Sequence, residues 1–283
     1  MRIDGKTRLY GIIGNPVSHS FSPKMQSEAF FESGINAVYL PFPVEEKALP
    51  HLLTFFDITK IHGFNVTVPY KEKILPFLDH LSTKAERLGS VNTVVKTDDG
   101  WIGHSTDGTG FIRSLEEKNF QFKGARVLIL GAGGSAKAIA HALADVEISS
   151  LGIINRTANK ADALAKDLIL HKPDLNIQVN PRIPAPGYEL LINCTSIGMI
   201  DDLCPISEDF IKASSFIVDI IYNPPLTPLL RQAQKHQIPS ENGLDMLLYQ
   251  GVEAFEIWTG QKAPVEAMKK SLLESLSKVF FDK

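Results

Sequence analysis

Residues 126–136 read RVLILGAGGSA, a stretch in which an apolar run passes directly into a glycine-rich turn. The run is leucine-rich and β-branched, which is typical of a strand buried on both faces of a parallel sheet. The residues after the turn have the pattern of a helix. Gly131-x-Gly133-x-x-Ala136 therefore fits the alanine-ended form of the turn that binds the pyrophosphate of a dinucleotide.

Each small residue of this turn has a physical role in phosphate binding. Gly131 allows the tight turn out of the strand, Gly133 lets the backbone approach a pyrophosphate, and Ala136 lets the helix pack close to the sheet. The phosphates would lie at the helix N-terminus, where free N–H groups and the helix dipole favour an anion. The candidate cofactor-binding residues here are Gly131, Ala132, Gly133, Gly134, Ser135 and Ala136. A purely structural strand-to-helix turn is the alternative.

The end of the next predicted strand distinguishes between two cofactors. A carboxylate at this point holds the ribose 2′-hydroxyl of NAD, but this chain has Asn155-Arg156-Thr157. Arg156 offers a planar fork to a 2′-phosphate and a face that can stack on adenine, and Lys160 adds a second positive charge. These residues predict NADP rather than NAD, the alternative being that Arg156 is a solvated surface arginine.

Strand and helix patterns alternate along most of the chain, which favours a parallel, doubly wound sheet around the glycine turn. The pattern changes near Asp107, and from Leu244 onwards the chain reads as two helices separated at Ala263-Pro264. We therefore predict an α/β protein of two domains. The first is a discontinuous N-terminal α/β substrate domain, residues 1–106 with 243–283 returning to it. The second is a Rossmann-type doubly wound NADP-binding domain, residues 107–242.

Within the N-terminal part, several elements can be predicted individually. Strands are expected at Leu9 to Ile13, Ala37 to Leu40 and Gly63 to Val68, with a hairpin formed by Asn92 to Lys96 and Trp101 to His104. Helices are expected from Ser22, as N-cap, to about Ser33, from Glu45 to Phe56 with Pro50 as an irregularity, after Pro69, and from Phe111 to Lys118.

Composition excludes several classes of protein. The 283 residues include 29 Lys plus Arg and 32 Asp plus Glu, giving a net charge of −3 that offers no footprint for nucleic acid or a membrane surface. Hydrophobic residues make up 44% and charged residues 22%, which argues against intrinsic disorder. Only Cys194 and Cys204 occur, too few for a disulfide framework or a cysteine zinc cluster, and no metal is expected. Residues 1–6 lack the apolar segment of a signal peptide, so we expect a cytoplasmic protein.

Polar residues occur in the N-terminal part where simple packing does not require them. Ser20 and Ser22 flank one residue and could bind a small polar ligand, although Ser22 also suits a helix N-cap. Asn65 and Thr67 would share one face of a strand. Lys71 would fall in the first turn of a helix, where the dipole disfavours a cation, which hints at function but equally fits a surface lysine.

Two further positions have both a functional and a structural interpretation. Asn92 can simply cap a strand, and Asp107 is a natural N-cap for the helix that follows it. Spacing alone favours the cap for Asp107, and nothing in the residues themselves brings Asp107 and Lys71 together in space.

Taken together, the motifs resemble those of the shikimate dehydrogenase family, from the first predicted strand to the last helix. They are Gly14-Asn15-Pro16 with His19-Ser20-Phe21-Ser22-Pro23, Asn65-Val66-Thr67-Val68-Pro69-Tyr70-Lys71, Val91-Asn92-Thr93, Thr106-Asp107-Gly108, Gly131-Ala132-Gly133-Gly134, Asn155-Arg156-Thr157, Asn193-Cys194-Thr195-Ser196-Ile197-Gly198-Met199, Tyr222-Asn223-Pro224, and Gly243 with Met246 and Gln250-Gly251. Each motif is ordinary by itself, but their joint occurrence in this order is highly specific.

The resemblance implies a role for each matching residue. Lys71 and Asp107 look like the catalytic pair, and Ser20 and Ser22 like the serines that bind the substrate carboxylate. The remaining residues match as follows: Asn65, Thr67, Asn92 and Gln250 with the groups that bind the ring hydroxyls, Tyr222 with a tyrosine near the carboxylate, and Met199 and Gly243 with residues on the nicotinamide side.

The resemblance also implies an activity. It is the reversible, NADPH-dependent reduction of 3-dehydroshikimate to shikimate, a step of the shikimate pathway to chorismate and the aromatic amino acids. The expected partners are a small-molecule substrate and NADP, with no nucleic acid and no membrane, and the expected assembly is a monomer or a homodimer.

Three departures from the family pattern and three rival functions remain open. The segment Lys24-Met25-Gln26-Ser27 replaces a usual His-Asn, Ser105 replaces an asparagine before Thr106, and Lys160 replaces an arginine. A dual quinate/shikimate dehydrogenase that accepts NAD is the nearest alternative. A non-catalytic dinucleotide sensor would be expected to lack the catalytic pair, and a methylenetetrahydrofolate dehydrogenase would not need so many hydroxyl-binding residues.

Overall fold

The computed structural model describes residues 3–182, 184 and 187–281. Its contacts divide the chain into unit 1, Met1–Gly110 with Leu248–Lys283, and unit 2, Phe111–Leu247. The sequence predicts boundaries at 106/107 and 242/243, a few residues earlier in both cases. Of those predicted domains, residues 1, 2, 183, 185, 186, 282 and 283 lie outside the described part.

The described strands and helices follow one another along the chain. The strands are β1 (Arg8–Gly14), β2 (Ala37–Pro43), β3 (Ile61–Val66), β4 (His80–Leu81), β5 (Thr93–Thr97), β6 (Gly100–His104), β7 (Arg126–Leu130), β8 (Ser150–Ile154), β9 (Asn176–Val179), β10 (Leu190–Asn193), β11 (Ile217–Asp219) and β12 (Ser240–Asn242). The helices are α1 (Ser22–Glu32), α2 (Leu49–Ile58), α3 (Thr83–Leu88), α4 (Asp107–Glu116), α5 (Gly134–Asp145), α6 (Ala158–His171), α7 (Glu208–Lys212), α8 (Pro228–Lys235), α9 (Leu244–Thr259) and α10 (Val265–Phe281).

Unit 1 is built on a mixed sheet of order β2-β1-β3-β5-β6-β4. Strands β2, β1 and β3 are parallel, whereas β5 is antiparallel to both β3 and β6. Helix α10 packs on α1, and from α9 the Trp258 indole N–H donates to the Val94 carbonyl at 2.9 Å. The C-terminal helices therefore complete the core of unit 1, which confirms the discontinuous N-terminal fold.

The outer edge of β2 carries two prolines. Val44 N donates inward to the Gly14 carbonyl at 3.2 Å, so by alternation the odd-numbered residues of β2 direct their backbone N toward the edge. Pro41 and Pro43 occupy two of these positions and have no N–H to offer. The C-terminal half of this edge thus lacks two of the N–H donors that an added strand would use.

Unit 2 has an all-parallel sheet of order β12-β11-β10-β7-β8-β9. The strand order reverses between β7 and β10, and small side chains of α5 such as Ala136 and Ala140 are fully buried on the sheet. This is the doubly wound arrangement predicted from the alternation, and it places the glycine turn after β7 at the switch point, where such sheets bind ligands. Among the described residues, no helix is both long and apolar enough to span a membrane.

Two predicted helices differ from the structure because of proline. The segment after Pro69, where the sequence predicts a short helix beginning near Lys71, forms consecutive turns first and a 3₁₀ helix only at Leu75–Phe77. Pro76 has no N–H for an i→i−4 bond, which prevents the helix. The second is the helix predicted from Glu45 to Phe56. In the structure a 3₁₀ turn at Glu46–Ala48 comes first, and α2 then contains Pro50 in its first turn, where proline is tolerated.

Three local predictions about caps and strand ends were also wrong. Phe21, not Ser22, occupies the N-cap of α1, and Ser22 is the first helical residue. Helix α4 begins at Asp107 itself, whose carboxylate is engaged elsewhere. Thr67 lies beyond the end of β3, so it does not share a strand face with Asn65.

Candidate functional site

An ion pair between Lys71 and Asp107 forms the centre of the polar cluster in unit 1. Lys71 lies in the turn after β3, and its carbonyl accepts a hydrogen bond from Val91 N at 2.8 Å, which fixes the turn beside the strand β5. Its Nζ lies 2.5 Å from Asp107 Oδ2, with side-chain exposures of only 18% and 10%. The fold therefore unites the two residues that the sequence could not connect, and leaves the ammonium partly accessible.

Asn92 holds the other oxygen of Asp107. Its Nδ2 donates to Asp107 Oδ1 at 2.8 Å and to Thr106 Oγ1 at 3.0 Å, while its Oδ1 accepts from Thr106 N at 2.8 Å. Asn92 is buried directly before β5. Because each Asp107 oxygen has a fixed partner, the carboxylate has one orientation, and Lys71 keeps further N–H groups for an external oxygen.

Gln250 joins this network from α9. Its Oε1 lies 3.4 Å from Asn92 Nδ2, and its carbonyl accepts from Thr106 Oγ1 at 3.1 Å. The approach of α4 to α9 requires a glycine, because a Cβ at Gly110 would lie 2.5 Å from Gln250 N. The glycine thus explains how a residue from the C-terminal segment reaches the cluster.

Asn65 lies at the end of the same cluster and has little free bonding capacity. Its Oδ1 accepts from the Tyr39 hydroxyl at 2.6 Å, and its Nδ2 donates to the Asn92 carbonyl and to Thr93 Oγ1, both at 3.0 Å. Burial raises the pKa of Tyr39 well above its usual value, so this phenol remains a donor. With both N–H groups engaged, Asn65 can accept a hydrogen bond from a ligand hydroxyl but cannot donate one.

Ser20 and Ser22 lie together where the chain enters α1. Ser20 Oγ accepts from Ser22 N at 3.3 Å, a local side-chain bond to the first residue of α1. Ser22 is buried, and Thr67 is half-buried in the turn that leads to Lys71. Among the described residues, no hydrogen bond links the two serines to the Lys71–Asp107 pair.

Sequence reasoning missed several buried residues that support the cluster. Thr93 and Thr106 are fully buried within it, and Gln26 of α1 donates from Nε2 to the Gly251 carbonyl at 2.8 Å. Thr93 and Thr106 belong to the motifs Val91-Asn92-Thr93 and Thr106-Asp107-Gly108, which is a usable sequence signal. Gln26 could be found only from its spacing of four residues from Ser22, which puts both on one face of α1.

In unit 2, the glycine turn has the geometry required to hold a pyrophosphate. Gly131 has φ +108°, and its N–H donates to the Ile154 carbonyl at 2.7 Å. A Cβ placed at Gly133 or Gly134 would meet no atom within 4 Å, so the start of α5 faces open space. The backbone donors of this helix end thus fit an anionic phosphate group.

The residues after β8 fit a 2′-phosphate. Asn155 is fixed by two bonds, since its N–H donates to Asn180 Oδ1 at 3.0 Å and its Nδ2 to the Thr157 carbonyl at 2.8 Å. Arg156 and Lys160 are exposed, and within the described ranges neither has an ion-pair partner. Two free cations at this strand end match the charge of NADP rather than that of NAD.

The last three candidate residues lie on loops of unit 2. Met199 is exposed after β10, Tyr222 follows β11, and burial raises the pKa of the Tyr222 phenol, which stays protonated at neutral pH. Gly243 N donates to the Ile221 carbonyl at 3.2 Å. A Cβ at Gly243 would lie 1.9 Å from the Ile220 carbonyl oxygen, so only glycine fits there.

Family models match along most of the chain. The model described as shikimate dehydrogenase substrate binding domain matches residues 12–94, and that of shikimate/quinate 5-dehydrogenase matches residues 114–183. A third, described as shikimate 5′-dehydrogenase C-terminal domain, matches residues 243–273. The three models follow the chain in the order in which its motifs occur.

Individual proteins are similar over nearly the full length. The shikimate dehydrogenase (NADP(+)) of Carboxydothermus hydrogenoformans is 42% identical, covering 96% of this chain and 99% of that protein. A shikimate dehydrogenase crystallised in complex with NADP+ is 37% identical with a TM-score of 0.91, covering 97% of this chain and 98% of that one. The ligand-free 5-ketofructose reductase of Gluconobacter sp. strain CHM43 is 32% identical with a TM-score of 0.86, covering 96% and 99%. With this identity over almost its whole length, the chain belongs to the shikimate dehydrogenase family.

Proposed function

We propose that the protein catalyses the reversible reduction of 3-dehydroshikimate to shikimate with NADPH, in the shikimate pathway that leads to chorismate and the aromatic amino acids. The observation that carries the proposal is the 2.5 Å pair of Lys71 Nζ and Asp107 Oδ2 within a buried network of amide and hydroxyl groups. Family membership and the unpaired cations Arg156 and Lys160 support NADP as the cofactor.

The proposed chemistry needs one proton from the protein. Bound NADPH supplies the hydride. The Lys71 ammonium donates its proton to the carbonyl oxygen as that oxygen becomes a hydroxyl, and it stabilises the negative charge that develops there. Asp107 orients the ammonium, and Asn92 orients Asp107 through its Oδ1. Oxidation of shikimate runs through the same groups in reverse.

The remaining site residues are proposed from the resemblance. Ser20 and Ser22 bind the substrate carboxylate, Thr67 and Gln250 bind ring hydroxyls, and Asn65 accepts from one of them. Tyr222 assists at the carboxylate, and Met199 and Gly243 lie on the nicotinamide side. The pyrophosphate is bound by residues 131–136, and the 2′-phosphate by Asn155, Arg156, Thr157 and Lys160.

The expected compartment and assembly extend this proposal. We propose a cytoplasmic enzyme that is a monomer or a homodimer. Both described cysteines, Cys194 and Cys204, are free. Sedimentation velocity at several protein concentrations distinguishes the two assemblies.

Initial rates of nicotinamide reduction test the function directly. Shikimate and quinate are each assayed with NADP+ and NAD+, and we expect the shikimate–NADP+ pair to give the highest kcat/KM. Arg156→Ala should reduce activity with NADP+ by about tenfold to a hundredfold and leave NAD+ almost unaffected, since a charged hydrogen bond contributes about 1.5–3 kcal/mol.

Each of the other possible outcomes of these assays would support an alternative function. Comparable rates with quinate or NAD+ would identify the dual-specificity enzyme. Silence in every combination, with NADP+ binding intact, would favour the dinucleotide sensor. Reduction of 5-ketofructose, a substrate suggested by the Gluconobacter neighbour, with no turnover of shikimate would replace the proposed substrate.

A further inference from the structure

Asp219 is a buried carboxylate at the end of β11 that the proposed chemistry does not use. It accepts three hydrogen bonds, from Asn193 Nδ2 at 3.0 Å, from Ile221 N at 3.1 Å and from Thr227 Oγ1 at 2.7 Å. All these partners are uncharged, and burial raises the pKa of Asp219 despite them. A buried carboxylate without a cation is costly, so a packing role alone would suit an apolar residue better.

The first bond leads into the loop after β10. Asn193 Oδ1 accepts from Thr195 N at 3.0 Å and from Thr195 Oγ1 at 2.7 Å. Thr195 Oγ1 in turn accepts from Ile197 N at 3.2 Å. Asp219 thus fixes, through Asn193 and Thr195, the loop that ends at Met199.

The second and third bonds fix the loop after β11. Ile221 N binds Asp219 directly, and Tyr222 is the next residue. The Ile221 carbonyl accepts from Gly243 N, which ties the start of α9 to the same segment. Thr227 Oγ1 donates to Asp219 and accepts from Leu230 N at 3.3 Å, so it also caps α8.

We infer that Asp219 is a positioning residue that aligns the three loops carrying Met199, Tyr222 and Gly243. The inference rests on the proposed function, which assigns Met199 and Gly243 to the nicotinamide side. Arg156 lies at the end of β8, three strands from β11 in the sheet order and therefore roughly 14 Å away at ~4.8 Å per strand. Asp219 therefore acts on the nicotinamide end of the cofactor and leaves the adenosine end unchanged.

Two ligands of different length separate these ends. NADPH spans the whole dinucleotide site, whereas adenosine 2′,5′-bisphosphate has only the adenosine end with its 2′-phosphate. Calorimetric titration of Asp219→Ala should show NADPH binding weakened about tenfold and adenosine 2′,5′-bisphosphate binding within about twofold of wild type. Asp219→Asn keeps a side-chain oxygen for Asn193 and Ile221, and should restore NADPH binding to within about threefold.

Matched variants make the result decisive. Like Asp219→Asn, Glu189→Gln changes an acid to an amide in unit 2, but it lies at the amino end of β10. It should therefore change the affinity for neither NADPH nor adenosine 2′,5′-bisphosphate. If thermal unfolding shows that Asp219→Ala does not fold, Thr195→Val removes one link of the same relay and should give the same split between the two ligands.

Contrary results are equally specific. Equal losses of both ligands in the Asp219 and Thr195 variants would make Asp219 a structural residue only, and unchanged affinities would also overturn the inference. Failure of the wild-type protein to bind NADPH would instead overturn the proposed function.

Discussion

Lys71 differs from the surface lysines of the chain in the way its partner is held. Asp107 contacts Lys71 through Oδ2 and Asn92 through Oδ1, so it cannot rotate away. Surface pairs such as Lys73 with Glu46 have no such support and contribute little to stability. The fixed pair thus provides a proton donor with a defined direction, which general acid catalysis requires.

Replacement of this donor should separate chemistry from cofactor binding. Lys71→Ala should reduce kcat for shikimate oxidation by about 10²–10⁴-fold, the usual contribution of a general acid–base group. The Kd of NADP+ should stay near the wild-type value, because Lys71 belongs to unit 1 and the dinucleotide turn to unit 2.

Lys73→Ala, a neighbour in the same turn, is the matched control for this variant. Steady-state rates give kcat, and a titration in which NADP+ displaces fluorescent NADPH gives the Kd of NADP+. Wild-type turnover in Lys71→Ala would remove the lysine from the mechanism.

The residue types of the site were predictable, but their bonding was not. The resemblance to the shikimate dehydrogenase family identified Lys71, Asp107 and Asn92 as candidates, whereas spacing alone favoured a helix cap for Asp107. The Asn65–Tyr39 bond joins β3 to β2 across the sheet, and such a contact depends on strand register rather than on local pattern. Serine before proline suits an N-cap, so the sequence predicts Ser22 there, yet Phe21 occupies that position and Ser20 Oγ accepts from Ser22 N.

At the level of elements, the Rossmann strands were the most predictable. Strand β7 has the bounds expected from its apolar run, because buried parallel strands carry continuous hydrophobic sequence. Short elements such as β4 and α7 were missed, since two to five residues carry too little periodicity. The turn with Lys71 differs from the helix that the sequence predicts, because Pro76 has no N–H for a helical hydrogen bond.

Arg126 and Glu189 form an ion pair between the amino ends of β7 and β10. This ion pair predicts a pH dependence of the stability of the fold. Hydrogen bonds from Arg126 lower the pKa of Glu189 from 4.5 to about 2. Because the pKa of Glu189 is lower in the folded than in the unfolded chain, its charge stabilises the fold at any pH above the unfolded-state pKa of 4.5. This stabilisation is lost as the pH falls from 4.5 toward 2. Because the Glu189 side chain is 40% exposed, we expect at most about 1 kcal/mol.

Urea unfolding of wild type and Glu189→Gln measures this contribution. The difference in unfolding free energy should be constant from about pH 7 to 5 and should shrink below the unfolded pKa. A difference that stays unchanged as the solution is acidified to the limit of folding would show that the glutamate charge is not its source.

For the whole molecule, the two units have separate hydrophobic cores. The core of unit 1 contains Phe64, whose ring centroid lies 5.0 Å from that of Phe56 and 5.5 Å from that of Trp101. The cores of unit 2 lie on the two faces of the Rossmann sheet, with Leu128 on one of them. A cavity made in one core should therefore lower the stability mainly of the unit that contains it.

Hydrogen exchange can test this independence. Phe64→Ala should cost about 3–5 kcal/mol in the unfolding free energy of unit 1 and speed exchange in segments 1–110 and 248–281. Exchange in segment 111–247 should stay near wild type, and Leu128→Ala should give the reverse pattern. Equal acceleration in both units, for either variant, would mean that the chain unfolds as one cooperative block.

The return of α9 and α10 to unit 1 sets an order of events during translation. The face of α1 that bears Met25 and Phe30 is buried, and Phe255 of α9 lies 5.5 Å from the Phe30 ring. At 5–20 residues per second, a ribosome needs roughly 9–35 s to make the chain beyond residue 110. Unit 2 is continuous and can fold within that interval. Unit 1, whose first segment is synthesised before unit 2, is therefore the last to complete its fold. Until α9 and α10 are made, its exposed apolar surface is available for a chaperone to bind.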